Sequence, residues 1–171
     1  MKSFKEFYVE GKQVGILYHY TSMFRLPEIL ESNVLKSDKD KSSVVNKYIS
    51  FTRDKHFHIE YRDNIPKECR LVIDGDKLSH HYKLQPFNYF NPRDHIAKPH
   101  RGSWDEQEER IATQELPNIR KYIIKVQILD TETEGYYNDD FVSLDIGGKE
   151  YASMKEYIEI LKQYVPIVEL I

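Results

Sequence analysis

The chain has 171 residues with a formal net charge of -3, and 40% of them are hydrophobic while 31% are charged. This length predicts one domain, residues 1–171, with a real core, and no apolar run is long enough to span a membrane. The slightly acidic balance argues against a surface that coats duplex nucleic acid. Cys69 is the sole cysteine, which excludes an internal disulfide and a cysteine-cluster zinc site. Together with an N-terminus that lacks the apolar segment of a secretory signal, this predicts a cytoplasmic protein.

The first informative stretch is residues 15–22, Gly-Ile-Leu-Tyr-His-Tyr-Thr-Ser. Its alternation predicts a strand in which Leu17 and His19 face one way and Tyr18 faces the other. The imidazole would then lie at the carboxyl end of the strand, where it meets solvent or a ligand. A lone strand histidine also has an ordinary explanation as a core or surface residue.

A second strand is predicted over residues 48–54, Tyr-Ile-Ser-Phe-Thr-Arg-Asp. Its alternation places the hydroxyls of Ser50 and Thr52 on one face, and Arg53 follows at the strand end. These residue types suit one polar wall of a cleft. A half-buried strand with a solvent-facing side explains the same pattern.

His56 and His58 lie two residues apart and could share one face of a strand as metal ligands. No carboxylate or further histidine at suitable spacing completes a metal site. We therefore expect no metal, and a metal-dependent hydrolase is the third alternative for function.

A third stretch, residues 104–113, reads Trp-Asp-Glu-Gln-Glu-Glu-Arg-Ile-Ala-Thr. An acidic run that enters an alternating segment places carboxylates at the start of a strand. Glu109 would share a face with Ile111 and lie opposite Arg110. The alternative is a charged helix N-terminus, where acidic residues are favoured.

The same patterns predict the remaining elements. They are a helix over residues 22–30 capped by Thr21 or Ser22, a buried strand over 69–74 with a helical turn after it, a long central strand over 118–129, a helix over 153–164 capped by Ser153, and a terminal edge strand over 165–171.

The order of these stretches resembles the ADP-ribosyltransferase superfamily over residues 15–129. The similarity lies in a strand with His-Tyr-Thr, a helix with Leu-x-x-Ile-Leu-Glu-Ser, a strand with Ile-Ser-Phe-Thr-Arg and an acidic run entering a late strand. It is greatest to the branch with a first-strand histidine. That branch includes the RNA 2′-phosphotransferases, and it also includes thymidine-modifying toxins that act on single-stranded DNA. The Glu-Glu-Arg-Ile run is also similar to that of small phage-encoded proteins.

The resemblance implies an α+β fold, a split β-sandwich with flanking helices, in which residues 130–171 form a C-terminal helix and edge strand that pack on the rest. We expect a pair of small, mainly antiparallel sheets separated by a cleft. His19 and Glu109 would then lie on opposing walls of that cleft.

The resemblance also implies NAD as a substrate and assigns roles to individual residues. His19 would position the nicotinamide ribose, Arg53 would approach the pyrophosphate, and Glu109 would be catalytic, with Glu106 and Glu108 competing for that place. The implied catalytic residues are Glu109, Glu108 and His19. The implied NAD-binding residues are His19, Tyr20, Thr21, Tyr48, Ser50, Thr52 and Arg53, with Tyr61 as an alternative to Tyr48 for stacking on nicotinamide. The implied acceptor-binding residues are Arg93, Arg101, Trp104 and Gln107.

These residue types suit the chemistry independently of the resemblance. Breaking the bond between nicotinamide and ribose builds positive charge on the sugar, and a carboxylate on a ribose hydroxyl stabilises that charge. A guanidinium pairs with pyrophosphate, and an aromatic face holds the planar base. Water must be excluded, or NAD is hydrolysed instead of transferred.

The acceptor prediction rests on a basic, proline-punctuated segment over residues 91–103, which carries Arg93 and Arg101. Beside a cleft, these cations and the flanking aromatics would guide a single nucleic-acid strand. The alternative is a loop that merely covers the sheet, which favours a protein acceptor.

The leading hypothesis is mono-ADP-ribosyl transfer to nucleic acid or protein, in the setting of phage–host conflict. The alternative is an inactive nucleotide- or partner-binding module of the same fold that acts as an inhibitor. No membrane partner is expected.

Overall fold

The computed structural model describes residues 14–37, 48–55, 68–87, 108–129, 144–146 and 148–171. The predictions for His56, His58, Tyr61 and residues 88–107 lie outside this set.

Eleven strands are numbered in chain order. They are β1 (Ile16–Thr21), β2 (Val34–Lys36), β3 (Ile49–Thr52), β4 (Cys69–Asp74), β5 (Leu84–Phe87), β6 (Glu108–Ile111), β7 (Glu115–Pro117), β8 (Ile123–Ile128), β9 (Leu144–Ile146), β10 (Lys149–Tyr151) and β11 (Val168–Leu170). The helices are α1 (Leu26–Ser32), α2 (Gly75–Ser79) and α3 (Met154–Leu161), and a short 3-10 helix covers Ile119–Lys121.

Seven of the strands form one sheet in the order β11-β8-β4-β1-β3-β6-β5. Neighbours in it are antiparallel except β11, which runs parallel to β8 at the edge. Two ribbons, β9–β10 and β2–β7, complete the set. The predicted α+β class, with a mainly antiparallel core and flanking helices, is confirmed.

The expectation of two separate small sheets needs correction, because β3 joins the halves. It pairs along its length with β6, and Thr52 also pairs with Tyr18 of β1. His19 and Glu109 therefore lie in one sheet rather than on opposing walls. The junction is slight, since β1 and β3 share that single registered pair while β1 and β4 share six.

The sheet has two faces. Leu17, Leu71 and Val126 lie on the first face, and the residues that alternate with them along each strand lie on the second face. Side chains of the first face belong to one buried cluster with Leu30 of α1 and Tyr157 of α3. Burying each such side chain contributes about 1.5–3 kcal/mol, so this cluster provides most of the driving force for the sheet to close on the helices.

The helix α3 begins as its sequence predicts. The Ser153 hydroxyl accepts a hydrogen bond from the Glu156 backbone N–H at 3.2 Å, and the Glu156 carboxylate accepts one from the N–H of Ala152. These two bonds satisfy backbone donors that a helix start leaves open. The helix buries Tyr157 and Leu161 on the side that packs against the core.

Two predicted boundaries are wrong. The first helix begins at Leu26, because Ser22 closes a turn by accepting the Arg25 N–H at its carbonyl at 3.2 Å and at its hydroxyl at 3.3 Å. The strand predicted over 118–129 begins only at Ile123. Asn118 has a φ of 59°, a left-handed conformation that no strand continues, and the 3-10 helix follows it.

The described residues include no helix with both the length and the apolar character that a membrane crossing needs.

The start of β1 is fixed by α2. The Asp76 carboxylate accepts the backbone N–H groups of Val14 and Gly15 at 2.5 and 2.9 Å, and the Gly75 N–H bonds to the Gly15 carbonyl at 2.9 Å. A Cβ on Gly75 would lie 2.4 Å from that carbonyl oxygen, so only glycine fits there. These contacts determine where the main chain of Val14 lies.

We expect the thermal stability of the protein to depend on Asp76 in a pH-dependent manner. The two backbone donors lower the pKa of Asp76 in the folded state. A lowered folded pKa stabilises the protein above the unfolded pKa of about 3.9, and this contribution is lost as the pH falls through the folded pKa. The Tm difference between the wild type and Asp76→Asn should therefore be largest near neutral pH and narrow below about pH 4. A gap that widens on acidification would contradict the assignment.

Candidate active site

Glu109 lies in the middle of β6, on the first face, and its side chain is fully buried at 0% exposure. It is opposite Phe51 of β3 in the register, as Ile111 is opposite Ile49. The prediction that Glu109 and Ile111 share one face is confirmed. A carboxylate among core residues is costly unless it is paired.

Arg53 supplies that partner from the first position after β3. Its Nε and Nη2 atoms both donate to Glu109 Oε1, at 3.0 and 2.8 Å, and its Nη1 atom donates to the Val14 carbonyl at 2.7 Å. The side chain of Arg53 is 20% exposed while that of Glu109 is not exposed. A substrate that approaches the pair from solvent therefore meets the guanidinium first.

The Arg53 guanidinium has donors to spare. A guanidinium carries five N–H groups, and the three bonds to Glu109 and Val14 use one each. Two N–H groups therefore make no hydrogen bond to a described residue. Arg53 can hold the carboxylate and still offer donors to an anion, which fits the predicted contact with a diphosphate.

His19 also lies on the first face, in β1. Its Nδ1 atom is 3.0 Å from the Ser50 carbonyl oxygen, and its ring meets the edge of Phe51 at a centroid distance of 5.9 Å. A carbonyl oxygen only accepts, so Nδ1 carries the proton and donates. In the neutral ring Nε2 is then an acceptor.

His19, Phe51 and Glu109 thus form a row across three neighbouring strands, on one face of the sheet. We call this row with Arg53 the His-Glu row. Strand spacing of about 4.8 Å places the backbones of its two ends about 10 Å apart. Thr21 lies farther along the same strand face as His19 and is 7% exposed.

Several of the predicted NAD-binding residues lie away from the His-Glu row. Tyr20, Ser50 and Thr52 lie on the second face, because each alternates with a residue of the row. Tyr48 instead contacts Arg110, whose guanidinium carbon is 5.8 Å from the ring centroid. The structure therefore brings His19, Thr21, Arg53 and Glu109 toward one face and separates the others from them.

Of the three acidic candidates, the structure describes the whole of Glu109 and the backbone of Glu108. Glu108 is the residue before Glu109 in β6, and its backbone pairs with Thr52. Glu106 lies outside the described residues, as do the predicted acceptor-binding residues Arg93, Arg101, Trp104 and Gln107. The Glu109 carboxylate is held by the Arg53 guanidinium.

Sequence reasoning missed three contributors to the site, namely Val14, Phe51 and Asp76. Phe51 lies inside the strand predicted over residues 48–54, and Asp76 lies in the helical turn predicted after the strand over residues 69–74. Asp74 of that turn caps α2 by accepting the Lys77 N–H at 2.9 Å. The described residues contain no group of three or more potential metal ligands.

No protein-family model and no curated protein matches this sequence. Among solved structures, two of DarT from Thermus sp. 2.9 match, one in complex with NAD+ and one in complex with carba-NAD+. The NAD+ complex is 15% identical with a TM-score of 0.46, and the match covers 91% of this chain and 94% of that chain. The carba-NAD+ complex is 14% identical with a TM-score of 0.46, and the match covers 91% of this chain and 95% of that chain. These values describe a distant likeness, and function is therefore inferred from the side chains of this chain.

Proposed function

We propose that this protein is an NAD-dependent mono-ADP-ribosyltransferase that uses the His-Glu row to cleave NAD and transfer its ADP-ribosyl group to a macromolecule. The observation that carries the proposal is the buried carboxylate of Glu109, held by Arg53 on the same sheet face as His19. A carboxylate can stabilise the charge that develops on the ribose, a guanidinium can pair with the diphosphate, and an imidazole can bond to a ribose hydroxyl.

In the proposed reaction the bond between nicotinamide and the ribose carbon breaks, and its electron pair leaves with nicotinamide. Positive charge grows on the ribose, and Glu109 stabilises it through a hydroxyl of that sugar. A nucleophile of the acceptor then forms the new bond to the same carbon and releases its proton. The spare donors of Arg53 neutralise the diphosphate, and Nε2 of His19 accepts from a ribose hydroxyl.

Burial of Glu109 strengthens its action on charge that develops nearby. Glu109 is not exposed and Phe51 is 2% exposed, so a ribose hydroxyl reaches the carboxylate only past the 20%-exposed Arg53 side chain. In such surroundings a fixed charge acts on the developing sugar cation more strongly than it would in water.

The acceptor is proposed to be single-stranded nucleic acid or a protein. The similarity of the Glu-Glu-Arg-Ile run to phage-encoded proteins suggests a setting in phage–host conflict.

A second candidate is a binding module of the same fold without catalysis. The observation that favours it is the same ion pair, since Arg53 donates two hydrogen bonds to one carboxylate oxygen of Glu109. In that case Glu109 anchors Arg53 for binding an anion and takes no part in chemistry. Such a module binds NAD, or another diphosphate, without releasing nicotinamide.

Calorimetry with NAD, together with an assay for nicotinamide release, separates the two candidates. We expect the wild type to bind NAD and to release nicotinamide when supplied with lysate or with single-stranded oligonucleotides. His19→Ala should weaken NAD binding by about tenfold, because one hydrogen bond to the ribose is lost. His81→Ala is the matched control, since that histidine is exposed and bonds to the Lys77 carbonyl. Binding without release would favour the module, and absence of binding would refute both.

A further inference from the structure

A second polar cluster lies behind the His-Glu row, on the second face of the sheet. Its centre is Arg70 of β4, a charged residue only 8% exposed. Arg70 Nε donates to Gln127 Oε1 at 2.6 Å, and Nη1 donates to the Lys55 carbonyl. We call the Arg70 guanidinium and the Tyr20 phenol the rear clamp, because the Tyr20 hydroxyl donates to the same carbonyl at 2.7 Å.

The rear clamp is itself held in place. Gln127 Nε2 donates to Glu169 Oε2 at 2.7 Å, and Lys125 Nζ donates to the same oxygen at 2.9 Å. These two hydrogen bonds lower the pKa of Glu169. The Arg70 guanidinium also lies over the Tyr18 ring, 5.3 Å from its centroid. The hydrogen-bonded chain crosses from the edge strand β11 through β8 to β4, so Arg70 has little freedom to move.

The clamped carbonyl belongs to the turn that carries Arg53. Lys55 is two residues after Arg53, and the Asp54 N–H between them bonds to the Thr52 hydroxyl at 3.0 Å. The main chain of this turn is therefore held from the second face, while the Arg53 side chain reaches Glu109 on the first face. A buried arginine and a half-buried phenol converge on the main chain of this turn, and burying the guanidinium is costly unless the position of the turn matters.

We infer that Tyr20 and Arg70 are positioning residues which, by holding the Lys55 carbonyl, set the placement of Arg53 on Glu109. The inference rests on the proposed function, and it assigns Tyr20 a role behind the site in place of direct NAD contact. A misplacement of about 1 Å in a reacting group lowers rates by about 10²-fold, so a small shift of the turn is enough to affect catalysis.

The first test is Tyr20→Phe, which removes one hydroxyl and keeps the ring. We expect kcat for nicotinamide release to fall about tenfold, as the loss of one hydrogen bond allows. KM for NAD should change less than kcat, because His19 and Thr21 keep their places on the first face and only the contact of Arg53 with the diphosphate is disturbed. Arg70→Lys, which keeps the charge and loses the planar fork, should act in the same direction. An unchanged kcat in Tyr20→Phe would overturn the inference.

A second test does not depend on activity. If the clamp supports the ion pair, Tyr20→Phe should lower Tm less in a Glu109→Gln background than in the wild type. Tyr157→Phe is the matched control, since that phenol donates to the Met23 carbonyl at 2.7 Å, and its effect should be the same in both backgrounds. Additive Tm changes for Tyr20→Phe would overturn the inference. Coupled Tm changes in a protein that releases no nicotinamide would support the clamp and refute the proposed function.

Discussion

Glu109→Gln is expected to lower nicotinamide release from NAD by about 10²–10³-fold, the loss typical of removing one preorganised group that stabilises transition-state charge. Glutamine keeps the shape of the side chain and one oxygen for Arg53, and it removes the negative charge that would stabilise the ribose cation. NAD affinity should change little, because His19 and the spare donors of Arg53 remain. The measurement is steady-state release of labelled nicotinamide, with binding followed by calorimetry.

The matched control is Glu115→Gln, an identical change at an exposed position of β7. It should retain full turnover. Turnover that survives in Glu109→Gln but is lost in Glu108→Gln or Glu106→Gln would move the catalytic role along the acidic run. Turnover that survives all three substitutions would refute the proposed mechanism.

The strands of the site could be predicted because their signal is local. Alternation in β1 separates His19 from Tyr18, and alternation in β6 separates Glu109 from Arg110, since successive side chains of a strand point to opposite faces. A sequence of four or five residues contains this information. The register between β3 and β6 then confirms that Phe51 and Glu109 share a face.

The partnership of Arg53 with Glu109 could not be predicted, because it depends on pairing between strands 56 residues apart. The resemblance implies a contact between Arg53 and the pyrophosphate, and the structure adds that the Arg53 Nε and Nη2 atoms donate to the Glu109 carboxylate. Which strand lies between β1 and β6 is decided by long-range packing, which no periodicity records. The same limit applies to the hydrogen bond from Arg70 to the Lys55 carbonyl, because nothing local in the sequence connects these two residues.

The roles assigned to Tyr20, Ser50 and Thr52 illustrate a different limit. Resemblance identifies a stretch, and a stretch of strand has two faces, so half of its residues lie away from any one site. His19 and Thr21 are on the first face, and Tyr20 between them is on the second. Family similarity carried over by segment therefore names residues of both faces, and strand alternation separates them into two sets.

Arg53→Met is expected to be the most destabilising single substitution at the site. It removes the guanidinium that donates two hydrogen bonds to the buried Glu109 carboxylate, and removing one partner of a buried ion pair costs about 3–5 kcal/mol in the free energy of unfolding. The cost should lie toward the lower end of that range, because Arg53 is 20% exposed and water can partly replace it. Urea unfolding of purified protein measures the change. Arg120→Met is the matched control, since that guanidinium lies over the Tyr164 ring at 5.6 Å and should contribute about 1 kcal/mol or less.

The double variant Arg53→Met with Glu109→Gln distinguishes an ion pair from two independent contributions. Once the side chain at position 109 is neutral, loss of the guanidinium no longer removes a charge–charge attraction, so the double variant should be more stable than Arg53→Met alone. A loss of stability equal to the sum of the two single losses would show that Arg53 and Glu109 do not depend on each other. The catalytic and positioning roles proposed for the pair both require that dependence, because each assigns Arg53 the task of holding the Glu109 carboxylate where the ribose charge develops.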